Sequence, residues 1–351
     1  MNRDEKGRFV SEGRVYARGY KGFNPGLRCR DKQYKENTVF AEDVASMCAK
    51  GMHFCKKAKD VLYYYSFLRP CCALNEFAEV KALDKVVTLG NKSVTTKLKI
   101  LGKLSITEFI SHIAAYFSDR LKTLKWSSSP VQISTKFRAT LCTSRIDARM
   151  AGTGNGMELL AKESARLVSV GDDCSLYAEG FGRLASAGYR TQMVSMGNNS
   201  VLSTSGYGCH LITTGDDTNM ATAGEMCNLT ATGDRALLAS AGGSAALVAL
   251  GKASMLASVG MCSRLYAEGR LSRMVSAGAH DMLYAAGERS VAVAIGPCGK
   301  VKGKLGCFLG CAEWNSYTKL KSFASGWVDG KNIKPDTWYT AKDGQLVEVE
   351  E

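Results

Sequence analysis

From Gly171 to Gly296 one hydrophobic pattern recurs every nine residues. Glycines stand at 171, 180, 188, 197, 206 and onward to 296, every interval being nine except the eight from 180 to 188. With that glycine as position 1, position 6 is Leu or Met from Leu176 to Leu283, and Ala292 breaks the series. Position 8 is always Ala, Ser or Thr. Position 4 is small in every full-length unit but one, where Asp281 stands. Inward positions 4, 6 and 8 alternate with outward ones, which is strand periodicity. A helix would not hold a glycine in every unit. Each unit therefore predicts a short strand and a turn at positions 9, 1, 2 and 3. The glycine is expected to supply a backbone angle that other residues resist.

The outward positions double the period. At position 7, alternate units carry Val194, Ile212, Thr230, Val248, Tyr266 and Tyr284, whereas the units between them carry Ser203, Ala221, Ala239, Ala257, Val275 and Val293. One series is bulky and the other small, so a coil has 18 residues and two unlike faces. Leu and Met from both sheets would meet in a thin core, with the sheets about 10 Å apart. Seven coils at about 4.8 Å each make a rod of roughly 34 Å. Such an array needs its ends covered. Weaker units such as Lys162–Val170 extend the pattern backward as lead-in coils.

The flanks read differently. Ala41–Lys50 is expected to be a short helix closed by Gly51, and Ala58–Phe67 a second one. Met52–Cys55, Phe77–Ala82 and two runs within Lys85–Leu101 are strand-like. Ser105 and Glu108 form a capping box opening a helix with Ile106, Phe109, Ile110, Ile113, Phe117, Leu121 and Leu124 on one face. Asp329-Gly330 and Asp343-Gly344 are hairpin signals in a small C-terminal β unit. The expected fold class is multidomain. Residues 1–130 form a basic α+β domain, 131–170 lead-in coils, 171–299 a two-sheet parallel β-solenoid of 18 residues per coil, and 300–351 a C-terminal β cap.

Charge and cysteine usage narrow the function classes. The chain of 351 residues has a net charge of +13, and the whole excess sits in residues 1–143. A polyanion would be met there. The N-terminal stretch lacks the apolar centre of a signal peptide, and no apolar run is long enough to span a bilayer. The 13 cysteines show no framework spacing, so free thiols and a cytoplasmic location are expected. Asp172, Asp173, Asp216 and Asp217 fall in turns without the GGxGxD spacing of calcium-binding nonapeptides. Cys174, Cys209 and Cys227 occupy position 4 as small core residues. His53 lies between Cys48 and Cys55 with Cys71-Cys72 downstream, without a CxxC pair. Neither a metal nor a cofactor is assigned.

Several runs carry a resemblance. YKGF (Tyr20–Phe23), Leu27, Cys29, Tyr34, CAKGMHFCKKAKDVLYYYS (Cys48–Ser66) and FAEV (Phe77–Val80) resemble a domain of unknown function common in phage and prophage proteins, where Gly/Ala/Ser-rich repeats follow it. KGKLGCFLGCAEW (Lys302–Trp314) and IKPDTWYTAKDGQLVEV (Ile333–Val349) resemble the usual close of such proteins. SVAVAIG (Ser290–Gly296) is similar to the head repeats of trimeric autotransporter adhesins. The resemblance implies a viral or prophage origin, the host cytosol or the virion as location, and no activity.

Two constellations could carry chemistry. Arg18, His53, Tyr64 and Glu79 follow the order of elements in ADP-ribosyltransferase-like folds, where an Arg or His holds NAD, an aromatic stacks on nicotinamide and a Glu orients the acceptor. Arg28, Arg30, Lys32, Lys35, Lys56, Lys57 and Lys59, interleaved with tyrosines, suit phosphate contacts and base stacking. The leading expectation is a non-enzymatic binding or scaffold protein. It would self-associate through the row Ser203, Ala221, Ala239 and Ala257, as a trimer by analogy with adhesin heads. A host-directed protein contacting host protein or nucleic acid through the N-terminal domain is the alternative, and a diverged transferase the third.

Overall fold

The computed structural model describes residues 14–350 in full, with the backbone of Asn2–Asp4 and Phe9–Val10 in addition. The chain divides into two compact units, one of residues 1–69 and 73–117, the other of 70–72 and 118–351. Among the described residues no helix is long and apolar enough to cross a membrane.

The N-terminal unit is a small α+β domain. Its strands are β1 (Asn2–Asp4), β2 (Phe9–Val10), β3 (Ala17–Phe23), β4 (Arg28–Cys29), β5 (Lys32–Gln33), β6 (Thr38–Ala41), β7 (Met52–Phe54), β8 (Glu76–Ala82), β9 (Val86–Leu89), β10 (Lys92–Thr95) and β11 (Lys97–Leu104). Its helices are α1 (Ala58–Val61) and α2 (Ile106–Thr123), the unit boundary falling inside α2. Six strands pair in the order β2-β1-β6-β11-β8-β3, and three in the order β7-β10-β9. β3 links the two sheets, because Tyr20 also bridges to Cys55 through N–H···O bonds of 2.7 and 2.9 Å.

The helix α2 begins at the expected capping box: the Ser105 N–H donates to Glu108 Oε2 at 2.7 Å, and the Glu108 N–H to Ser105 Oγ at 3.2 Å. Phe109 stacks on Phe77 at 4.1 Å. Two other expectations fail. Residues 41–50 form a turn closed by a Ser46–Lys50 bridge, not a helix, because Cys48 takes a φ of 62° inside it. The helix expected over Ala58–Phe67 stops at Val61, because Tyr64 and Tyr65 turn away to separate packing sites.

The second unit is a parallel β-solenoid of about ten turns. Strands pair with strands two further along the chain, as Val201 with Asn219 and His210 with Asn228. The step is 18 residues there and 17 around the short unit, as Ser175 with Gln192. The coils begin at Val131 and run to Cys311, so strands Lys300–Gly303 and Phe308–Asn315 extend the solenoid. Every Leu and Met at position 6 is buried, from Leu176 to Leu283. Two antiparallel segments then close the sheets, Lys319–Trp327 on one and the hairpin Tyr339–Lys342/Gln345–Glu348 on the other. The Asp343-Gly344 turn is the expected hairpin, with φ values of 50° and 77°. Asp329-Gly330 instead opens a loop in which Asp329 accepts N–H bonds from Lys331, Asn332 and Ile333.

The repeat glycine serves another purpose than the one expected. The left-handed residue is at position 3, not position 1: Asp173, Met226, Leu271 and His280 take φ values of 54° to 62°. Position 1 must be glycine because of its neighbour one coil back. A Cβ on Gly242 would lie 2.1 Å from the Gly224 carbonyl oxygen, and one on Gly260 2.1 Å from that of Gly242. Close backbone stacking, not torsional freedom, selects the residue.

Candidate functional site

A cavity of about 590 Å³ opens in the N-terminal domain. Five segments wall it: β3, the β4–β5 hairpin, the 42–51 turn, β7 and the tyrosines after α1, with Lys92 of β10 at the side. One glycine makes room for the wall. A Cβ at Gly22 would meet the Tyr65 ring atoms at 2.6 to 2.8 Å. Only glycine leaves room for the Tyr65 side chain against β3.

Lys21 sits at the base of this wall and is 5 % exposed. Its ammonium donates to the His53 carbonyl at 2.9 Å and to Cys29 Sγ at 3.4 Å. It also stands 5.3 Å from the centre of the Tyr34 ring and 5.5 Å from that of Phe23. Burial lowers its pKa below the ordinary lysine value. Cys29 Sγ accepts a second bond, from the Tyr65 hydroxyl at 3.2 Å. His53 Nε2 accepts the Cys48 N–H at 3.0 Å. Burial, then Lys92, Lys21 and Arg30, holds the His53 pKa down, which favours the neutral ring.

Both oxygens of Glu42 are engaged, one by Lys32 at 3.2 Å and the other by the Gly51 N–H at 2.9 Å. At the mouth the Tyr64 hydroxyl donates to Asn91 Oδ1 at 2.5 Å, and Lys92 stands 4.7 Å from the centre of the Tyr64 ring. The charged lining is Lys21, Arg30, Lys32, Lys50 and Lys92 against Asp31 and Glu42.

The four transferase-like candidates fall in two places. His53 and Tyr64 line this cavity, whereas Arg18 and Glu79 line a separate hollow of about 140 Å³ with Lys56. Glu79 faces His112 Nδ1 at 3.8 Å, and the Tyr20 hydroxyl lies 3.1 Å from the same nitrogen. The basic candidates are likewise dispersed. Arg30 and Lys32 line the cavity. Arg28 donates to Gln33 Oε1 at 3.1 Å, and Lys35 and Lys56 are exposed. Lys57 donates to the Tyr116 hydroxyl at 3.2 Å, and Lys59 is buried beside Asp60 at 3.6 Å.

Burial pushes the Cys55 thiol up to about 12, which suits a protonated core thiol rather than a metal-binding thiolate. Among the described residues no group of three or more His, Cys, Asp or Glu is placed to hold a metal ion. In the solenoid turns Asp173 pairs with Arg190 at 2.8 Å and Asp217 with Arg235 at 2.7 Å. Asp172 and Asp216 accept the position-2 N–H of the next coil at 2.9 and 2.8 Å.

Sequence reading missed Lys21, Cys29 and Tyr65 as a cluster. The signal was a charged residue at an inward position of β3, in alternation with Gly19 and Phe23.

Residues 17–112, which contain the whole cavity, match a family described as a domain of unknown function (DUF7666). The chain thus joins a DUF7666 domain to a β-solenoid body. Neither a curated protein nor a solved structure matches the chain.

Proposed function

We propose that this chain is a non-enzymatic binding scaffold of phage type, working in the host cytosol, whose rigid solenoid pairs with further copies of itself. The observation that carries this reading is the exposed face of the sheet containing Ser203, Ala221, Ala239 and Ala257. These four residues are in register, each the lateral partner of the next, and all four are exposed. A shallow trough of about 530 Å³ runs beside them, past Val168, Ala185 and Ser203. In the following coils the outward residues are larger, with Leu237, Met255 and Val275 between 42 and 48 % exposed.

A two-fold axis between Ala221 and Ala239 lays the bulkier half of one copy on the trough of the other, which is the self-complementarity an isologous interface requires. Eight strands at about 4.8 Å spacing, about 14 Å wide, give roughly 1,100 Å² over both copies, just above what a specific interface needs. The adhesin-like trimer would use the same row with a second face. Light scattering on the full chain distinguishes the two by mass. A multiple of the chain mass that collapses to the monomer in Ala239→Arg supports the reading. A wild-type monomer at every concentration sinks it.

The second reading is a host-directed protein acting through its basic N-terminal domain, favoured by Arg30 and Lys32 lining the cavity. A gene placed among tail genes supports the scaffold; one among early or accessory genes supports the host-directed role. Loss of oligonucleotide binding with added salt would mark phosphate contacts.

A further inference from the structure

We propose that the cavity of the N-terminal domain binds a nucleoside phosphate, whose phosphate forms the ion pair that Lys21 does not make within the cavity and whose base lies against the tyrosines of the wall.

Lys21 is almost wholly buried, yet its two hydrogen-bond partners are a carbonyl and a sulfur. Among the described residues no carboxylate forms an ion pair with it. The cavity's own Glu42 acts on Lys21 only at a distance, its oxygens being bonded to Lys32 and the Gly51 N–H. A buried cation without a counter-ion is costly, and burial disfavours its charged form. An anion entering the cavity removes that cost. Arg30, Lys32, Lys50 and Lys92 draw the same kind of ligand, with only Asp31 and Glu42 opposing them.

A bare anion does not account for the rest of the wall. The cavity falls in the range of roughly 300–1,000 Å³ typical of small-molecule and cofactor sites. Its walls include Tyr34, Tyr64, Tyr65 and Phe54. Aromatic rings beside cations are the combination that receives a base and its phosphate together, since every base offers a flat π face. Tyr65 is fixed in place by its seat on Gly22 and its bond to Cys29. Tyr64 stands at the mouth, 46 % exposed, with the Lys92 ammonium 4.7 Å from its ring centre. The same chemistry is presented by a free mononucleotide and by the 5′-phosphorylated end of a strand.

Isothermal titration of the full chain decides the matter. The titrants are AMP, GMP, adenosine, inorganic phosphate and a 5′-phosphorylated single-stranded oligonucleotide. At least one mononucleotide is expected to bind more tightly than adenosine or phosphate alone. Lys21→Met keeps the buried volume without the charge, and it should weaken that binding by at least about tenfold with the thermal midpoint unchanged or raised. Lys92→Glu, at the less buried mouth, should weaken it as well, and serves if Lys21→Met fails to fold. Oligonucleotide binding displaced by the mononucleotide identifies a strand end as the source, and mononucleotide binding alone identifies a free nucleotide. Absence of heat with every mononucleotide at millimolar concentration overturns the proposal. So does binding that neither variant alters. Self-association of the solenoid is read by a different measurement, so either conclusion can fail without the other.

Discussion

At the scale of the residue, the repeat imposes two backbone demands that sit two positions apart. In the nine-residue units position 3 is left-handed whatever residue occupies it, as Leu271 at 62° and Arg289 at 54° show. That conformation costs a side-chain-bearing residue about 1–2 kcal/mol. Part of this is returned as entropy when glycine is substituted, so Leu271→Gly should stabilise the chain by about 1 kcal/mol. Gly242→Ala should do the opposite, by about 1–3 kcal/mol or more, because its methyl group would meet a backbone oxygen that cannot swing aside. Chemical denaturation of the two variants checks the contrast.

Asp281 is the other exceptional residue. It accepts the Ser263 N–H at 2.6 Å and the Ser276 hydroxyl at a position that is otherwise Ser, Thr, Ala or Cys. Burial raises its pKa to about 6. The folded chain therefore holds this proton more tightly than the unfolded chain. The stabilisation is complete below about pH 4 and is lost as pH rises through about 6. Asp281→Ser should show a thermal midpoint that gains on the wild type as pH is raised from 4 to 7. A gap independent of pH would contradict this account.

At the scale of the element, strands were legible and short helices were not. Alternation of positions 4, 6 and 8 identifies the solenoid strands because successive side chains of a strand point to opposite faces irrespective of its surroundings. The helix α2 was legible because it carries both a capping box and a long apolar stripe. Residues 41–50 and 58–67 had neither. Their course is set by long-range contacts: Glu42 reaches the Gly51 N–H, and Tyr65 needs Gly22. The C-terminal strands have a role that composition did not reveal. Lys319–Trp327 pairs antiparallel along Phe308–Asn315 and occupies the edge that would otherwise be open. Exposed edges recruit further strands. Removing residues 319–350 should therefore turn a dispersed chain into one that aggregates on concentration, measured by light scattering. Retained dispersity would show that the coils protect their own edge.

At the scale of the whole molecule, charge and residue chemistry separate between units. The solenoid is near neutral and repetitive, suiting it to surface pairing, while the cationic excess and the irregular His, Cys and Tyr positions belong to the N-terminal domain. Ala239→Arg and Lys21→Met address these separately. Of the site, His53, Tyr64, Arg30 and Lys32 were legible because their residue types stand out beside aromatics. Lys21 and Cys29 were not legible as a pair, since a lysine and a cysteine eight residues apart on different strands carry no local pattern that brings them together.

The amino-acid sequence determined the coil length, its two unlike faces, the buried Leu and Met ladder and the side of the chain on which charge gathers. All of these follow from periodicity and composition, which are local. Only the tertiary structure decided that glycine serves close stacking of coils, that Arg18 and Glu79 stand apart from His53 and Tyr64, and that Lys21 is buried with no ion pair to a carboxylate among the described residues. Those depend on which backbone atoms approach across dozens of residues, and on the arrangement of strands from two sheets around one cavity.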